Sequence, residues 1–353
     1  MPFPSRHRNR TLLRLLAVIA LAMAVSPVAA MAATAPTAEQ GVASLNALRS
    51  RVGLLPVKYD PDQSVGCQRH AAYYALTKHV GHDEVPGDPG YSARGDEAAR
   101  SSNLYYDADE NFVGADNWTD AVYHRIAMLY PRLADSGYWA ERGIACLGVL
   151  GDMHGPTVKQ LTAYPYPVDG QQGVPISFPC NERPDPCASV KGASAKQPTG
   201  SILSVQFDVP QDSVDATTVS SATVTADGAT EPISAVVQDA RDDIAPYLRG
   251  GLAIIPRAPL EISTWYTGHV TGVVSSSDAE EGTVETPFDV SWRFQTGPVV
   301  LSATSTTSTT SCSPTRKGVT KIVSKCKARK PVKRVKKASR RAKHHAQHRA
   351  ARR

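Results

Sequence analysis

A change of hydrophobic period near residue 200 constrains this chain more than any other feature. Before it, apolar residues fall at helical spacing. Val42, Leu45, Leu48 and Val52 recur every three or four positions, and Cys67, Ala71, Tyr74 and Ala75 share one side of a second run over about 63–78. Asp60-Pro61 forms the turn before that second helix. Further helices are expected over about 95–101 and 115–128, and strands over 143–150 and 158–164. After residue 200 the period becomes two, in runs at 202–209, 219–226, 233–237, 252–255, 266–274 and 288–294 separated by turn residues. One layer cannot serve both periods. The pattern predicts an α+β or α-β-α sandwich domain first and an all-β sandwich of immunoglobulin-like topology second, with Trp265 and Trp292 as core aromatics.

The ends carry a different message. Arg6, Arg8, Arg10 and Arg14 precede a short apolar run over 15–25, and Ala30-Met31-Ala32 offers a small-residue cleavage site. Those are the three parts of a signal peptide, so residues 1–32 are expected to be removed on export. The run is much shorter than the roughly 20 residues a bilayer needs, and no later stretch is apolar enough to span. All six cysteines lie after this leader, an even count that favours disulfides in an exported chain. Chain order suggests Cys67–Cys146, Cys180–Cys187 and Cys312–Cys326, one of the 15 pairings that six cysteines permit. No C-x-x-C pair is present, which argues against a zinc-thiolate or thioredoxin-type centre. The expected organisation is a head domain over 38–165, a proline-rich linker over 166–198, the β-sandwich over 199–300, and a Ser/Thr spacer with a disordered basic tail over 301–353.

The formal net charge of +6 hides two opposite parts. Residues 316–353 hold 17 Lys and Arg and no acid, so the body between leader and tail carries about −15. A block such as Lys325–Lys343 repels itself, stays extended and seeks a polyanion. Outside a cell the expected partner is an anionic wall or envelope polymer. Nucleic acid is the weaker expectation, because no recognition fold accompanies the tail. The tail also lacks the apolar anchors of a membrane-surface helix. Docking onto the chain's own acidic body is the intramolecular alternative.

Read residue by residue, His82 stands at a loop entrance beside Asp83 and Glu84, and His124 falls within a predicted helix. Two imidazoles with a carboxylate could hold zinc or serve as general base and acid. No short motif joins them, and local capping or hydrogen bonding is the plainer role for either histidine. Ser102 is a nucleophile by type only, since no G-x-S-x-G elbow surrounds it. His70, His79 and His154 read as surface or packing residues. The tyrosines at 105, 106, 123, 130 and 138 read as a core rim, or as a groove for lipid or glycan.

Several ordered stretches add a resemblance: Leu45-Asn46-Ala47-Leu48-Arg49, Gly81-His82-Asp83-Glu84, Gly95-Asp96-Glu97, Ser102-Asn103-Leu104 and Trp118 through Arg125. Over about 40–165 the chain resembles the bacterial, actinobacterial-type branch of the CAP superfamily, the family of cysteine-rich secretory proteins, venom antigens and pathogenesis-related plant proteins. The resemblance implies an α-β-α sandwich whose cleft holds two histidines and two acids. His82 and His124 would be the histidines and Asp96 the first acid, with Glu97 as its near alternative. The second acid would fall at Ala121 and is missing. The β-rich half is similar to the immunoglobulin-like modules that follow such domains. The expected function is an extracellular binding or scaffolding module that takes a lipid, glycan or peptide in the cleft and is tethered by its tail. The alternative is a hydrolase of peptide, ester or wall polymer working through His82, His124 and Asp96, with zinc as an optional aid.

Overall fold

The computed structural model describes residues 37–297 apart from 109–111, 113 and 279–281. The expected leader, the basic tail and the Cys312–Cys326 pair lie outside the described residues. The helical part is built on α1 (Ala38–Arg51), α2 (Pro61–Thr77), α3 (Ala93–Arg100) and α4 (Val122–Met128). Each of the first three starts on a side-chain cap. Thr37 and Gln40 form a reciprocal capping box on α1. Asp60 accepts from the Asp62 and Gln63 amides ahead of Pro61, and Ser92 accepts from Gly95 N–H. The predicted helix over 115–128 is broken: a 3-10 turn at Ala115–Trp118 precedes α4, and Ala121 at the N-cap has no side chain to offer.

Against these helices lie short strands. β1 (Lys58–Tyr59) pairs in parallel with β3 (Asp135–Ser136), and β2 (Ser102–Tyr106), β5 (Ile144–Gly148) and β4 (Tyr138–Glu141) make an antiparallel sheet in that order. Gly66 lets α2 and α3 approach closely, since a Cβ there would stand 2.8 Å from the Ala98 methyl. The Cys67–Cys146 disulfide joins α2 to β5 as expected. Arg49, fully buried on α1, donates to the carbonyls of Met128, Tyr130 and Pro131 at 2.8, 2.9 and 3.2 Å, and so ties down the chain where α4 ends.

The β-rich part comprises β6 (Thr162–Tyr166), β7 (Gln171–Val174), β8 (Leu203–Asp208), β9 (Ser213–Ala226), β10 (Ala235–Gln238), β11 (Leu252–Pro256), β12 (Trp265–Asp278) and β13 (Gly282–Thr296), with a one-turn helix α5 at Ala245–Leu248. They form two four-stranded sheets, ordered β10-β11-β8-β6 and β7-β13-β12-β9. Leu203, Val205 and Phe207 of one sheet share a core with Val270, Phe288 and Trp292 of the other. Trp292 is the core aromatic its position predicts. Trp265 is not: it is half-buried under the Arg293 guanidinium, because strand alternation turns Tyr266 inward instead.

The two parts interlock. Val122, Tyr123 and Ile126 of α4 share a buried cluster with Phe178, Ile202, Leu248 and Ile255. Two arginines are buried at the junction. Arg125 donates to the Ile202 carbonyl at 2.8 Å and to Ser204 Oγ at 3.3 Å. Arg132 pairs with buried Asp208 at 2.8 Å and donates to the carbonyls of Val209 and Gln211. Every donor so satisfied makes a buried charge tolerable and fixes α4 against the sheets. Among the described residues no helix is long and apolar enough to cross a membrane.

Candidate functional site

α4 carries His124 to a cavity of about 510 Å³ between the two parts, and the loop before α3 brings His82 to the same cavity. Ser102 and Asn103 at the start of β2 line it from the helical side, and Tyr247 and Arg249 line it from the β-rich side. His82 Nδ1–H donates to the Ala99 carbonyl at 2.8 Å. A carbonyl only accepts, so this bond fixes the tautomer and leaves Nε2 as the free nitrogen. Burial pushes the His82 pKa down, and the neighbouring His124 pushes it the same way against the Ala99 bond.

His124 is held by a residue that no sequence motif places here. Glu182 Oε1 accepts from the His124 ring Nδ1–H at 2.7 Å, from the His124 amide at 2.9 Å and from the Tyr123 amide at 2.8 Å. The carboxylate is wholly buried. It thus caps α4 in place of Ala121 and orients the imidazole at once. Glu182 sits in the loop closed by the Cys180–Cys187 disulfide, the second pair that chain order suggests. Asn103 Nδ2 adds a bond to the His124 carbonyl at 2.9 Å.

The acids expected on α3 are elsewhere. Asp96 accepts two bonds from Arg100, each 3.1 Å, and the Glu84 amide at 2.7 Å. Those bonds, led by Arg100, hold its pKa below the usual carboxylate range. Glu97, one position round the helix, lines a separate groove with Asp60, Asp135 and Asp152. Neither carboxylate lines the histidine cavity. Ser102 has its hydroxyl 3.7 Å from the disulfide sulfur of Cys67, with no imidazole partner among the described residues. His70, read as a packing residue, is buried and donates from Nδ1 to buried Glu84 at 3.2 Å.

Could these residues hold zinc? Both Nδ1 atoms are engaged by oxygen acceptors, so each ring presents Nε2, the arrangement of a metal-bound histidine. Yet among the described residues no third His, Cys, Asp or Glu atom gathers with them, whereas catalytic zinc takes three protein ligands. The histidine pair therefore does not make such a centre by itself. The one group that does gather is Cys180, Asp185 and Cys187, with ligand atoms within 4.8 Å of one another. It is able to coordinate a divalent ion once reduced; as the disulfide stands, both thiolates are withdrawn.

Residues 42–143 match the family model described as CAP, the cysteine-rich secretory protein family, so a CAP domain occupies that stretch. No curated protein matches the chain. Glu182, Tyr247 and Arg249 all lie beyond the matched residues, so the cavity is completed by chain outside that domain.

Proposed function

We propose that the protein is an extracytoplasmic binding module whose CAP domain holds a small ligand between His82 and His124, with the β-rich half, read as an immunoglobulin-like module, supplying the opposite wall. The carrying observation is what surrounds the two histidines. Their cavity has tyrosine, proline and aliphatic side chains in its walls, while Asp96 is committed to Arg100 and the Glu84 amide and Glu97 lines a separate groove. A hydrolytic centre needs an aligned nucleophile or an activated water, and among the described residues the Ser102 hydroxyl meets the Cys67 sulfur rather than either ring. The leader supports export, and the 17 basic residues of the tail support tethering to an anionic envelope polymer.

One observation favours the hydrolase reading as runner-up. The Glu182–His124 pair is the carboxylate–imidazole arrangement that orients a general base. The deciding experiment screens purified full-length protein against peptide, ester and wall-polymer substrates, with His82→Ala and His124→Ala alongside. Absence of turnover with retained ligand binding is expected. Turnover abolished by both substitutions would reverse the order. For the tether, retention on isolated cell wall is compared between the full chain and a chain ending at Ser313 across a salt series. Retention should fall with salt and with loss of the tail.

A further inference from the structure

We infer that the cavity takes an anionic amphiphile, its carboxylate or phosphate head seated against Arg249 and Arg183 beside the two histidines and its apolar part lying along Tyr247 and Leu150. This rests on the binding reading above and adds the chemistry of the ligand.

The argument begins with charge. The cavity wall carries Arg100, Arg183 and Arg249, and among the described residues no Asp or Glu lines it. Arg100 is already neutralised by the bidentate bond to Asp96. The other two are not paired. Arg249 donates to the Val149 carbonyl at 3.0 Å and lies over the Tyr130 ring at 4.0 Å, with no carboxylate partner among the described residues. Arg183 donates to the Glu182 backbone carbonyl at 2.9 Å and likewise has no carboxylate partner there. Each guanidinium carries five N–H donors in a fork that matches a planar carboxylate or a phosphate face. Glu182, the acid nearest in sequence, spends one oxygen on three donors at the base of α4. Burial lowers the Arg249 pKa, the signature of a charge lacking compensation that an anion would provide.

Shape supplies the second half. Leu150 and Tyr247 are 48% and 49% exposed, large apolar side chains lining the same cavity as the half-buried Arg249 and the exposed Arg183. A volume near 510 Å³ suits a head group with a short chain or ring. A purely polar anion would leave those apolar side chains wet, and a neutral lipid would leave the half-buried Arg249 guanidinium without an anion.

The test uses the full chain in about 0.5 M salt, where attraction of the tail for anions is screened. Octanoate, octyl phosphate, octanol and inorganic phosphate are titrated by calorimetry. The anionic octyl compounds should bind at one site per chain, about tenfold or more tighter than octanol. Arg249→Gln should erase that preference, while Arg249→Lys should keep part of it, which separates lost charge from lost fold. Inorganic phosphate binding as tightly as octyl phosphate would overturn the amphiphile in favour of free phosphate. Equal binding of octanol and the anions, or a preference that survives Arg249→Gln and Arg183→Gln, would overturn the anionic head yet leave the cavity reading standing if His124→Ala still weakens octanol. No binding of any probe would overturn both.

Discussion

Glu182 receives the ring N–H of His124 at 2.7 Å from 58 residues further along the chain. The same oxygen accepts the amides of Tyr123 and His124, so one carboxylate serves as helix cap and as imidazole anchor. Its position explains how α4 starts at Ala121 without a capping side chain.

The first prediction follows from that doubling. Glu182→Ala should destabilise the protein by about 2–3 kcal/mol, because buried N–H groups lose a charged acceptor. Ligand affinity should fall as well, since the imidazole loses its orientation. Ala121→Ser offers a local cap and should recover part of the stability without recovering the affinity. Urea midpoints and octanoate titrations of the wild type, Glu182→Ala and Glu182→Ala combined with Ala121→Ser measure both effects. Full recovery of affinity by Ala121→Ser would show that Glu182 acts only as a cap.

The second concerns Arg132 and Asp208, whose side chains are 4% and 1% exposed. Arg132→Ala leaves an unpaired buried carboxylate and should cost about 3–5 kcal/mol. The double change Arg132→Met with Asp208→Leu removes both charges and should cost far less. Denaturant unfolding of the single and double variants gives the comparison. Equal losses would mean that the backbone carbonyls around Arg132, rather than the ion pair, hold the junction.

Much of this architecture is legible in the sequence because it is local. The 3.6 period of Val42, Leu45 and Leu48 and the alternation of 202–209 each report a buried face of one element. Two disulfides follow chain order because their cysteines sit on neighbouring elements. The strand Ser102–Tyr106 is not legible: only its first three residues are buried, with no alternation. Nor is the direction of the α3 acids, which depends on Arg100 one turn onward and on the loop amide of Glu84. Glu182 was hidden most deeply. It lies in a stretch, 165–198, that holds seven prolines and reads as a linker, and its contacts span nearly 60 residues. Only the tertiary packing of α4 against that stretch turns a linker residue into part of the site.

The third prediction is a pH dependence. Burial, aided by His82 and His79, lowers the His70 pKa from 6.5 to about 4. The unfolded chain therefore takes up this proton first. Stability present above pH 6.5 should be lost progressively as pH falls toward 4, by about 3 kcal/mol for the full shift. Glu84 contributes with the opposite sign: burial raises its pKa, so the native state holds that proton to higher pH and gains as pH falls through that range. Comparing wild type with His70→Gln in urea from pH 7.5 to 4 isolates the histidine. The variant should show a flatter acid limb, and parallel limbs would remove His70 from the account.

The fourth prediction separates the two disulfides by what each one holds. Cys67–Cys146 closes 79 residues and ties α2 to β5. On the chain-entropy model, replacing both cysteines with alanine should cost about 4.5 kcal/mol. Cys180–Cys187 closes only 7 residues, for which the same model gives about 2.5 kcal/mol. Yet that small loop carries Glu182 against His124 and Arg183 against the cavity. Cys180→Ser with Cys187→Ser should therefore lose less stability and more octanoate affinity than Cys67→Ala with Cys146→Ala. Reduction adds a further readout. With both thiols free, the Cys180, Asp185 and Cys187 group should take up zinc that the oxidised protein leaves in solution, and the double serine variant should not. Denaturant midpoints, octanoate titration and zinc uptake under reducing and oxidising conditions test these expectations. If the small loop governs stability alone and leaves ligand affinity untouched, then Glu182 keeps its place through packing of Phe178 and Cys187 against α4, and the disulfide is dispensable to the site.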